Sequence, residues 1–368
     1  MVPSRFSISQ PTQRNLACKS ADLIVFLESP PMATTRVILS YPWNGGGKGL
    51  TKTSTEEELG ISEKVLKIAR KELREDACAR EQCLMQIREW IKKNPDVKNL
   101  RMDDKFLLRF LRAKKFSIPM AEQTLLKYLN FRRTFAHMTT KLDFLSPAVN
   151  ELISGGYIFA SPVRDKNGRR VVIAFAKNFD PSRHCSADMA RAHFITYETL
   201  LEDPENQILG FTHIGDMSGV SAAHITCWNV TEFARIMKWG EQSVPMRHKE
   251  IHVVNVHTTV KYVVDFAKSL VSKKINDRLM IHVNVENLIK KVDKECLPLE
   301  MGGSMPMAEM IELWKAELAA KREVILSLDE MELLSDRGII SSRDKNNNSN
   351  SLTQMDSIAG SFRKLEVD

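Results

Sequence analysis

The sequence is poor in aromatic residues and has no closely paired cysteines. Aromatic side chains make up 7% of the 368 residues, and basic residues alternate with glutamates in the helical region, so the stacking platforms and basic stripes of nucleic-acid-binding proteins are missing. The six cysteines form no CxxC pair, which argues against a zinc site or a disulfide scaffold and is typical of a reduced, cytosolic chain. We therefore expect no nucleic-acid partner and no metal.

Long apolar runs are also absent. No run reaches the roughly 18 apolar residues that a membrane-spanning helix needs, so any membrane contact is expected to be peripheral. The chain does not open with a basic segment followed by a long apolar core, and we expect no signal peptide. Residues 1–54 end in the turn-rich segment 41–49 (YPWNGGGKG), which predicts a mostly disordered leader. The Asn/Ser-rich end of the chain has too little apolar surface for a packed core, which predicts a disordered tail.

Sequence motifs for catalysis are missing as well. In the glycine-rich segment around Lys48, Gly49 stands where a nucleoside-triphosphate loop needs a hydroxyl residue. No GxGxxG motif opens a helix after a strand, and no GxSxG motif marks a nucleophile. His248, His252 and His257 lie close in the sequence, but no carboxylate with ligand spacing accompanies them. These absences indicate a non-enzymatic protein without a cofactor.

The composition is otherwise that of an ordinary globular chain. Hydrophobic residues make up 43% and charged residues 27%, and the net charge of +7 favours anionic partners. Residues 55–140 have the periodicity of helices: one long charged helix is predicted up to about Lys93, and a short helix follows a cap at Asp103 or Asp104. Its apolar side chains are expected to face inward and its basic side chains to point away from the core. Those basic residues are Lys105, Arg109 and Arg112.

From residue 141 onward, short β-type runs alternate with helices. A hairpin is predicted over 157–176, and the strands and helices that follow are typical of βαβ units with a mainly parallel sheet. A last helix is predicted over 307–334. The fold class is thus α/β with an all-helical N-terminal unit. The expected divisions are the leader 1–54, the helical unit 55–140, the α/β domain 141–325, and a helix end with the tail 326–368.

An amphipathic helix followed by a basic cluster lies within the α/β domain. Between residues 258 and 271 apolar side chains recur at helical spacing, and Lys273, Lys274 and Arg278 follow directly. The helix either covers an ordinary core beside a solvated lysine-rich turn, or forms an apolar door beside an anion-binding rim. This stretch alone leaves both interpretations open, and the first is the commoner use of such a helix.

Three features resemble the CRAL-TRIO family of lipid-binding proteins. They are the segment 104–116 (DKFLLRFLRAKKF), the α/β region, and the segment 297–303 (LPLEMGG), in that order. The resemblance covers residues 55–325 and is closest to the branch that contains α-tocopherol transfer protein, cellular retinaldehyde-binding protein and the clavesins. Met301 departs from the pattern, because the family generally has an aromatic residue there.

The resemblance implies a sheet that floors a deep apolar pocket, closed by a mobile gate helix at 258–271. Ligand-binding residues are carried over by position. The gate contributes Val260, Val263, Val264 and Leu270, and the wall contributes His193, Phe194, Tyr197, Phe211, Ile236, Trp239 and Ile251. The alternative for each apolar member is a place in a plain core. His193 and Tyr197 lie one helical turn apart, so together they could orient a mostly apolar ligand.

The phosphoinositide-binding cleft of the family is similar to a set of basic residues from separate segments of this chain. The set consists of Lys114, Arg247, Lys274 and Arg278. Cations that converge in this way suit a multiply phosphorylated headgroup, since each adds a charge-assisted hydrogen bond. The alternative is a group of solvated surface charges.

The resulting hypothesis is a monomeric, soluble cytoplasmic carrier. It would bind a small hydrophobic ligand, such as a tocopherol, a retinoid or another lipid, together with phosphatidylinositol bisphosphate. Transfer of the ligand would take place at endosomal or other acidic cytosolic membranes. The rival hypotheses are a phosphoinositide-binding trafficking adaptor without ligand transfer, and an α/β enzyme, for which no motif is present.

Overall fold

The computed structural model describes residues 61–340, in which a group of helices precedes a five-stranded sheet flanked by further helices. The predicted leader and the tail beyond residue 340 lie outside the described residues. The N-terminal helices are α1 Glu63–Leu73, α2 Ala77–Lys93, α3 Asp104–Ala113, α4 Ile118–Thr134, α5 Ala136–Thr139 and α6 Pro147–Ser154. The strands of the sheet are β2 Ile158–Ala160, β3 Arg170–Phe175, β4 Phe211–Asp216, β5 His248–Val254 and β6 Leu279–His282.

The remaining helices connect the strands or follow the last of them. They are α7 Ser186–Leu201, α8 Pro204–Leu209, α9 Ala222–Thr226, α10 Val230–Ser243, α11 Thr258–Leu270, α12 Lys273–Asn276, α13 Val285–Ile289 and α14 Met307–Leu326. The described residues fall within one compact unit. A division of the chain near residue 140 therefore stays a prediction.

The five strands are hydrogen-bonded in sequence order, from β2 to β6. β2 and β3 form the predicted hairpin, with Ile158 opposite Ala174, and β3 to β6 are parallel. Parallel neighbours need crossover connections, which α7 and α8, then α9 and α10, then α11 and α12 supply. The prediction of a mainly parallel sheet behind a helical unit is confirmed.

A β-bulge in β5 determines which of its side chains share a face. The partners of Phe211 and Thr212 are His248 and Glu250, so Lys249 is an extra residue in the ladder. Side chains alternate between the two faces of a strand, and an extra residue shifts that alternation by one. Ile251, which follows Glu250, therefore lies on the same face of the sheet as His248.

The prediction of one long charged helix is wrong, because the chain divides it into α1 and α2. Arg74 has a φ of 63°, in the left-handed region, and ends α1. Glu75 then turns into the interior, where its carboxylate accepts hydrogen bonds from Arg80 at 3.1 Å and from Arg112 at 2.7 and 2.9 Å. The side chain of Asp76 caps the start of α2. The break thus accompanies a buried ion pair, which helical periodicity does not encode.

Of the three basic residues of α3 that were expected to face away from the core, only Lys105 is exposed. The prediction for Arg109 and Arg112 is wrong, since both are fully buried. Arg109 Nη1 donates to Glu198 at 2.7 Å, and the hydroxyl of Tyr128 donates to the same carboxylate at 2.9 Å. Buried charges persist when they are paired in this way. These bonds join α3 to α4 and α7.

The last helix also ends earlier than expected, at Leu326 instead of residue 334. A 3₁₀ helix, Ser327–Glu330, follows, and within it Asp329 accepts a hydrogen bond from Arg132 of α4 at 2.7 Å. The chain then forms β7, Glu332–Leu333, which pairs antiparallel with β1, Val97–Lys98. This two-stranded pairing returns the end of the described chain to the N-terminal helices.

Replacing Arg112 by methionine is expected to destabilise the protein strongly. The change keeps much of the side-chain volume but leaves the buried carboxylate of Glu75 short of a partner, and loss of one member of a buried ion pair costs about 3–5 kcal/mol. Denaturant unfolding followed by circular dichroism measures the free energy of unfolding. The control is Lys92→Met. Because Lys92 belongs to an exposed pair with Glu89, its loss should change the free energy of unfolding only slightly. Equal losses in both variants would contradict the assignment.

Candidate functional site

A cavity of about 330 Å³ lies between β5 and the helices α7, α10 and α12. Its lining is mostly apolar, and the few polar side chains come from α7, α10 and β5. The lining residues are Met189, Ala190, His193, Phe194, Tyr197, Trp228, Phe233, Ile236, Met237, Gly240, Glu241, Val244, His248, Ile251, Val271 and Ile275. A volume of this order with a few polar groups in an apolar lining is typical of a site for a small hydrophobic ligand.

The structure brings together at this cavity some of the residues predicted for ligand binding. Those that line it are His193, Phe194, Tyr197, Ile236 and Ile251. The prediction omitted Phe233, Met237 and Val244, although their helical spacing along α10 puts them on one stripe with Ile236. It also omitted His248, because the bulge that turns this side chain to the cavity face leaves no mark in the sequence pattern.

Two predicted wall residues lie elsewhere. Phe211 is fully buried in the core of the sheet and is not among the residues that line the cavity. Trp239 packs edge-on against Phe135, the residue directly before α5, with ring centroids 5.9 Å apart. Neither residue is therefore placed to contact a ligand in the cavity as the structure describes it.

The predicted gate, α11, contacts the cavity indirectly. Val260, Val263, Val264 and Leu270 are not among the lining residues, and Val260 and Val264 are buried. Phe266 stacks on Phe233 of the cavity wall, with ring centroids 6.3 Å apart, and Val271, directly after the helix, lines the cavity. The helix thus covers the wall formed by α10, and its part in ligand binding stays a prediction.

Polar rings form a hydrogen-bonded row at one side of the cavity. His193 Nε2 lies 3.0 Å from the hydroxyl of Tyr157, and its Nδ1 lies 3.1 Å from the hydroxyl of Tyr197. Burial lowers the pKa of His193 to about 4 and raises the pKa of Tyr197 to about 12. Both side chains are therefore neutral near pH 7.

A second pair of rings lies at the β5 side. His248 Nδ1 is 2.9 Å from His213 Nε2. Burial, together with the charges of Arg278 and Lys274, lowers the pKa of His248 to about 4, and burial lowers the pKa of His213 well below its usual value. The cavity thus meets neutral imidazoles at both sides.

The four basic residues predicted from separate segments do converge near this end of β5. Burial and the neighbouring charges of Lys274 and Lys127 lower the pKa of Lys114. Burial and the charges of Arg278 and Arg247 likewise lower the pKa of Lys274. Cations that depress each other's pKa values lie near one another. We call Lys114, Arg247, Lys274 and Arg278 the basic cleft.

A carboxylate from α1 already occupies part of the basic cleft. Glu72 Oε2 accepts hydrogen bonds from Arg247 Nη2 and Lys249 Nζ, each at 2.7 Å. Burial opposes ionisation of Glu72, but these two partners outweigh it and lower the pKa of the carboxyl group. Lys114 and Lys274, by contrast, form no ion pair with any of the described residues.

The cavity and the basic cleft share two segments. Arg247 directly precedes β5, whose first residue, His248, lines the cavity, and in α12 Lys274 precedes the cavity residue Ile275. Arg278 Nη1 also donates a hydrogen bond to the backbone oxygen of His248. A displacement of either segment therefore reaches both sites.

Residues 61–340 contain neither a metal-binding cluster nor a helix that could span a membrane. No group of three or more His, Cys, Asp or Glu side chains in this range is arranged to hold a metal ion. Nor does any helix of the range combine the length and the apolarity that crossing a bilayer requires.

Known proteins match this chain over both of its regions. The family model described as CRAL/TRIO domain matches residues 154–303, and the model described as Pinta-like, UBA domain matches residues 76–149. Clavesin-1 of Pongo abelii is 32% identical over 269 residues, which cover 73% of this chain and 75% of that protein. Clavesin-2 of Homo sapiens is 30% identical over 257 residues, which cover 70% of this chain and 79% of that protein.

A solved structure, the crystal structure of Sfh5, is similar over 68% of this chain and 99% of its own, with a TM-score of 0.44 and 14% identity. The assignment of the chain to a family rests on the domain match and on the identity with the clavesins. The chain belongs to the CRAL/TRIO family of lipid-binding and lipid-transfer proteins, within the branch that contains the clavesins.

Proposed function

We propose that this protein carries one small hydrophobic molecule in the cavity and exchanges it at membranes that bear phosphoinositides such as phosphatidylinositol bisphosphate. The proposal rests on the adjacency of cleft and cavity residues along the chain: Arg247 directly precedes His248 at the start of β5, and Lys274 precedes Ile275 in α12. The protein acts as a monomer at cytosolic membrane surfaces, endosomal ones included. Its ligand is a tocopherol, a retinoid or a lipid of similar size.

The cavity supports the ligand part of this proposal. Its lining is apolar except for a few neutral rings and Glu241, whose carboxylate accepts a hydrogen bond from the backbone amide of Ser272 at 2.8 Å. Burial of about 300 Å² of ligand apolar surface would contribute about 7 kcal/mol. That is enough to hold a sparingly soluble lipid between encounters with membranes.

The basic cleft supports the membrane part. Lys114 and Lys274 form no ion pair within residues 61–340, although the carboxylate of Glu241 lies near enough to act on both charges. Each basic residue near an acidic membrane contributes about 1 kcal/mol. Apolar side chains are also exposed on α9, α10 and α11, where Ile225 is 39%, Val230 is 66% and Phe266 is 38% exposed. A bilayer that reaches these helices as well as the basic cleft would meet both charges and apolar groups.

These contacts suggest how binding and release are coupled. A headgroup in the basic cleft pulls on α12 and β5, which also line the cavity, while the bilayer accepts the apolar side chains of α11. A ligand or membrane shifts a conformational equilibrium by its differential affinity for the two states. The membrane-bound state is the one in which α11 leaves the α10 wall and the ligand exchanges.

Filling the cavity is expected to reduce ligand transfer. Ile251→Trp introduces an indole into the cavity, and overpacking of about 1–3 kcal/mol should slow or weaken uptake about tenfold or more. Transfer of a fluorescent tocopherol between liposomes measures this. The control Ile281→Trp adds the same atoms at a site on β6 that is 45% exposed and should leave transfer unchanged. Unaltered transfer by Ile251→Trp would contradict the carrier function and favour the adaptor.

Removing two cleft cations is expected to weaken membrane docking. Lys274→Ala with Arg278→Ala should lower affinity for vesicles containing phosphatidylinositol bisphosphate about 30-fold, at about 1 kcal/mol per cation, and should slow transfer in parallel. Co-sedimentation with vesicles measures the affinity. Lys273→Ala is the control, because its side chain is 90% exposed and is paired with Asp277. Binding and transfer that both survive the double change would refute the coupling.

Neutralising the carboxylate that occupies the cleft is expected to have the opposite effect. Glu72→Gln frees Arg247 and Lys249 from a competing negative charge, so affinity for the same vesicles should rise about fivefold, the equivalent of about 1 kcal/mol. Glu63→Gln removes the same charge from the exposed side of α1, where it pairs with Lys67 and Arg70, and should have little effect. A fall in affinity for Glu72→Gln would show that the contact organises the cleft instead of competing for it.

A further inference from the structure

Tyr157, His193 and Tyr197 form a row of hydrogen bonds that ends at the cavity. The hydroxyl of Tyr157 and that of Tyr197 lie 3.0 and 3.1 Å from the two ring nitrogens of His193. Tyr157 is buried and does not line the cavity. His193 and Tyr197 are half-buried and do line it. The row therefore runs from the protein interior to the ligand space.

This row has three polar hydrogens but only two hydrogen bonds in which to use them. A neutral histidine carries a single N–H, and each tyrosine carries a single O–H, so three hydrogens serve two contacts. If His193 Nε2–H donates to Tyr157, the hydroxyl of Tyr197 must donate to Nδ1, and the spare hydrogen belongs to Tyr157. No second hydrogen-bond partner for that hydroxyl is found in residues 61–340, so this arrangement buries an unpaired donor, which proteins avoid.

The opposite arrangement leaves no buried donor unpaired. Tyr157 donates to His193 Nε2, His193 Nδ1–H donates to the oxygen of Tyr197, and the spare hydrogen belongs to the Tyr197 hydroxyl at the cavity surface. The oxygen of Tyr197 then already accepts a hydrogen bond from His193 Nδ1–H. The side chain faces the ligand space as a hydrogen-bond donor.

We infer that Tyr197 donates this hydrogen bond to the ligand, and that Tyr157 is a positioning residue that fixes the direction of the donation through His193. The inference rests on the proposed carrier function and specifies the polar end of the ligand, an uncharged oxygen that accepts a hydrogen bond. No lysine or arginine is found among the described residues that line the cavity, so a carboxylate head would be buried there without a counter-charge.

A paired-lipid competition tests the donor. The full chain is exposed to equal amounts of 2-heptadecanone and heptadecane, and the bound lipids are extracted and measured by gas chromatography. The ratio of bound ketone to bound alkane does not depend on how much of a variant is folded. Tyr197→Phe should lower this ratio about tenfold, the loss of one hydrogen bond. Tyr157→Phe should lower it by a smaller factor, because either tautomer of His193 then leaves one group unpaired.

The control is Tyr262→Phe, which removes a hydroxyl from a side chain that is 78% exposed on α11 and should leave the ratio unchanged. A wild-type ratio in Tyr197→Phe, or an equal fall in Tyr262→Phe, would overturn the assignment of the donor. Uptake of neither lipid by the wild-type chain would instead contradict the carrier function itself. The two failures are thus distinguishable.

Nitrogen NMR tests the direction of the row without any ligand. In protein labelled with ¹⁵N-histidine, the His193 signal is identified by its loss in His193→Gln. The expected state at pH 7 has the hydrogen on Nδ1, and Tyr157→Phe should shift part of the population to the Nε2–H tautomer. A wild-type signal with the hydrogen on Nε2 would overturn the inference, because the spare hydrogen would then belong to Tyr157.

Discussion

Two buried guanidinium groups of α3 tie the N-terminal helices to each other and to α7. Arg109 binds Glu198 of α7, and Arg112 binds Glu75 ahead of α2. Glu198 directly follows Tyr197, and Lys114 directly follows α3. The same ion pairs therefore fix the position of a polar cavity residue and of a cleft cation. Because buried charges tolerate little displacement without losing their partners, the two sites keep a common frame.

The movable parts lie on the other side of the cavity. Cleft residues stand beside cavity residues at the start of β5 and in α12, and α11 meets the α10 wall through the stacking of Phe266 on Phe233. Contacts of this kind can be replaced by lipid chains at little cost, whereas the ion pairs of α3 cannot. In the proposed function a membrane acts on the apolar side and leaves the ionic side as the fixed support.

Much of the fold could be predicted from the sequence, because it rests on periodic patterns. The hairpin, the alternating strands and helices, and the parallel sheet follow from turn residues and apolar spacing. The burial of Arg109 and Arg112 could not be predicted, since their partners Glu198 and Glu75 are distant in sequence or lie beyond a helix break. Periodicity assigns charged positions to the solvent, and here long-range pairing overrides that tendency.

The candidate site was likewise predictable from the sequence only in part. His193, Tyr197 and Ile251 line the cavity as carried over from the family, and the basic residues converge, because the order of strands and helices places them. His248 and Glu72 were missed: one is turned into the cavity by a bulge, and the other reaches the cleft from a helix that the sequence pattern merged with its neighbour. Both depend on local backbone irregularities that apolar spacing does not reveal.

Native mass spectrometry of the lipid-loaded protein after incubation with vesicles measures whether occupation of the basic cleft opens the cavity. A deuterated tocopherol should remain bound when the vesicles are neutral and should be lost when they contain phosphatidylinositol bisphosphate. Loss at the same rate to both kinds of vesicle, or retention with both, would contradict it.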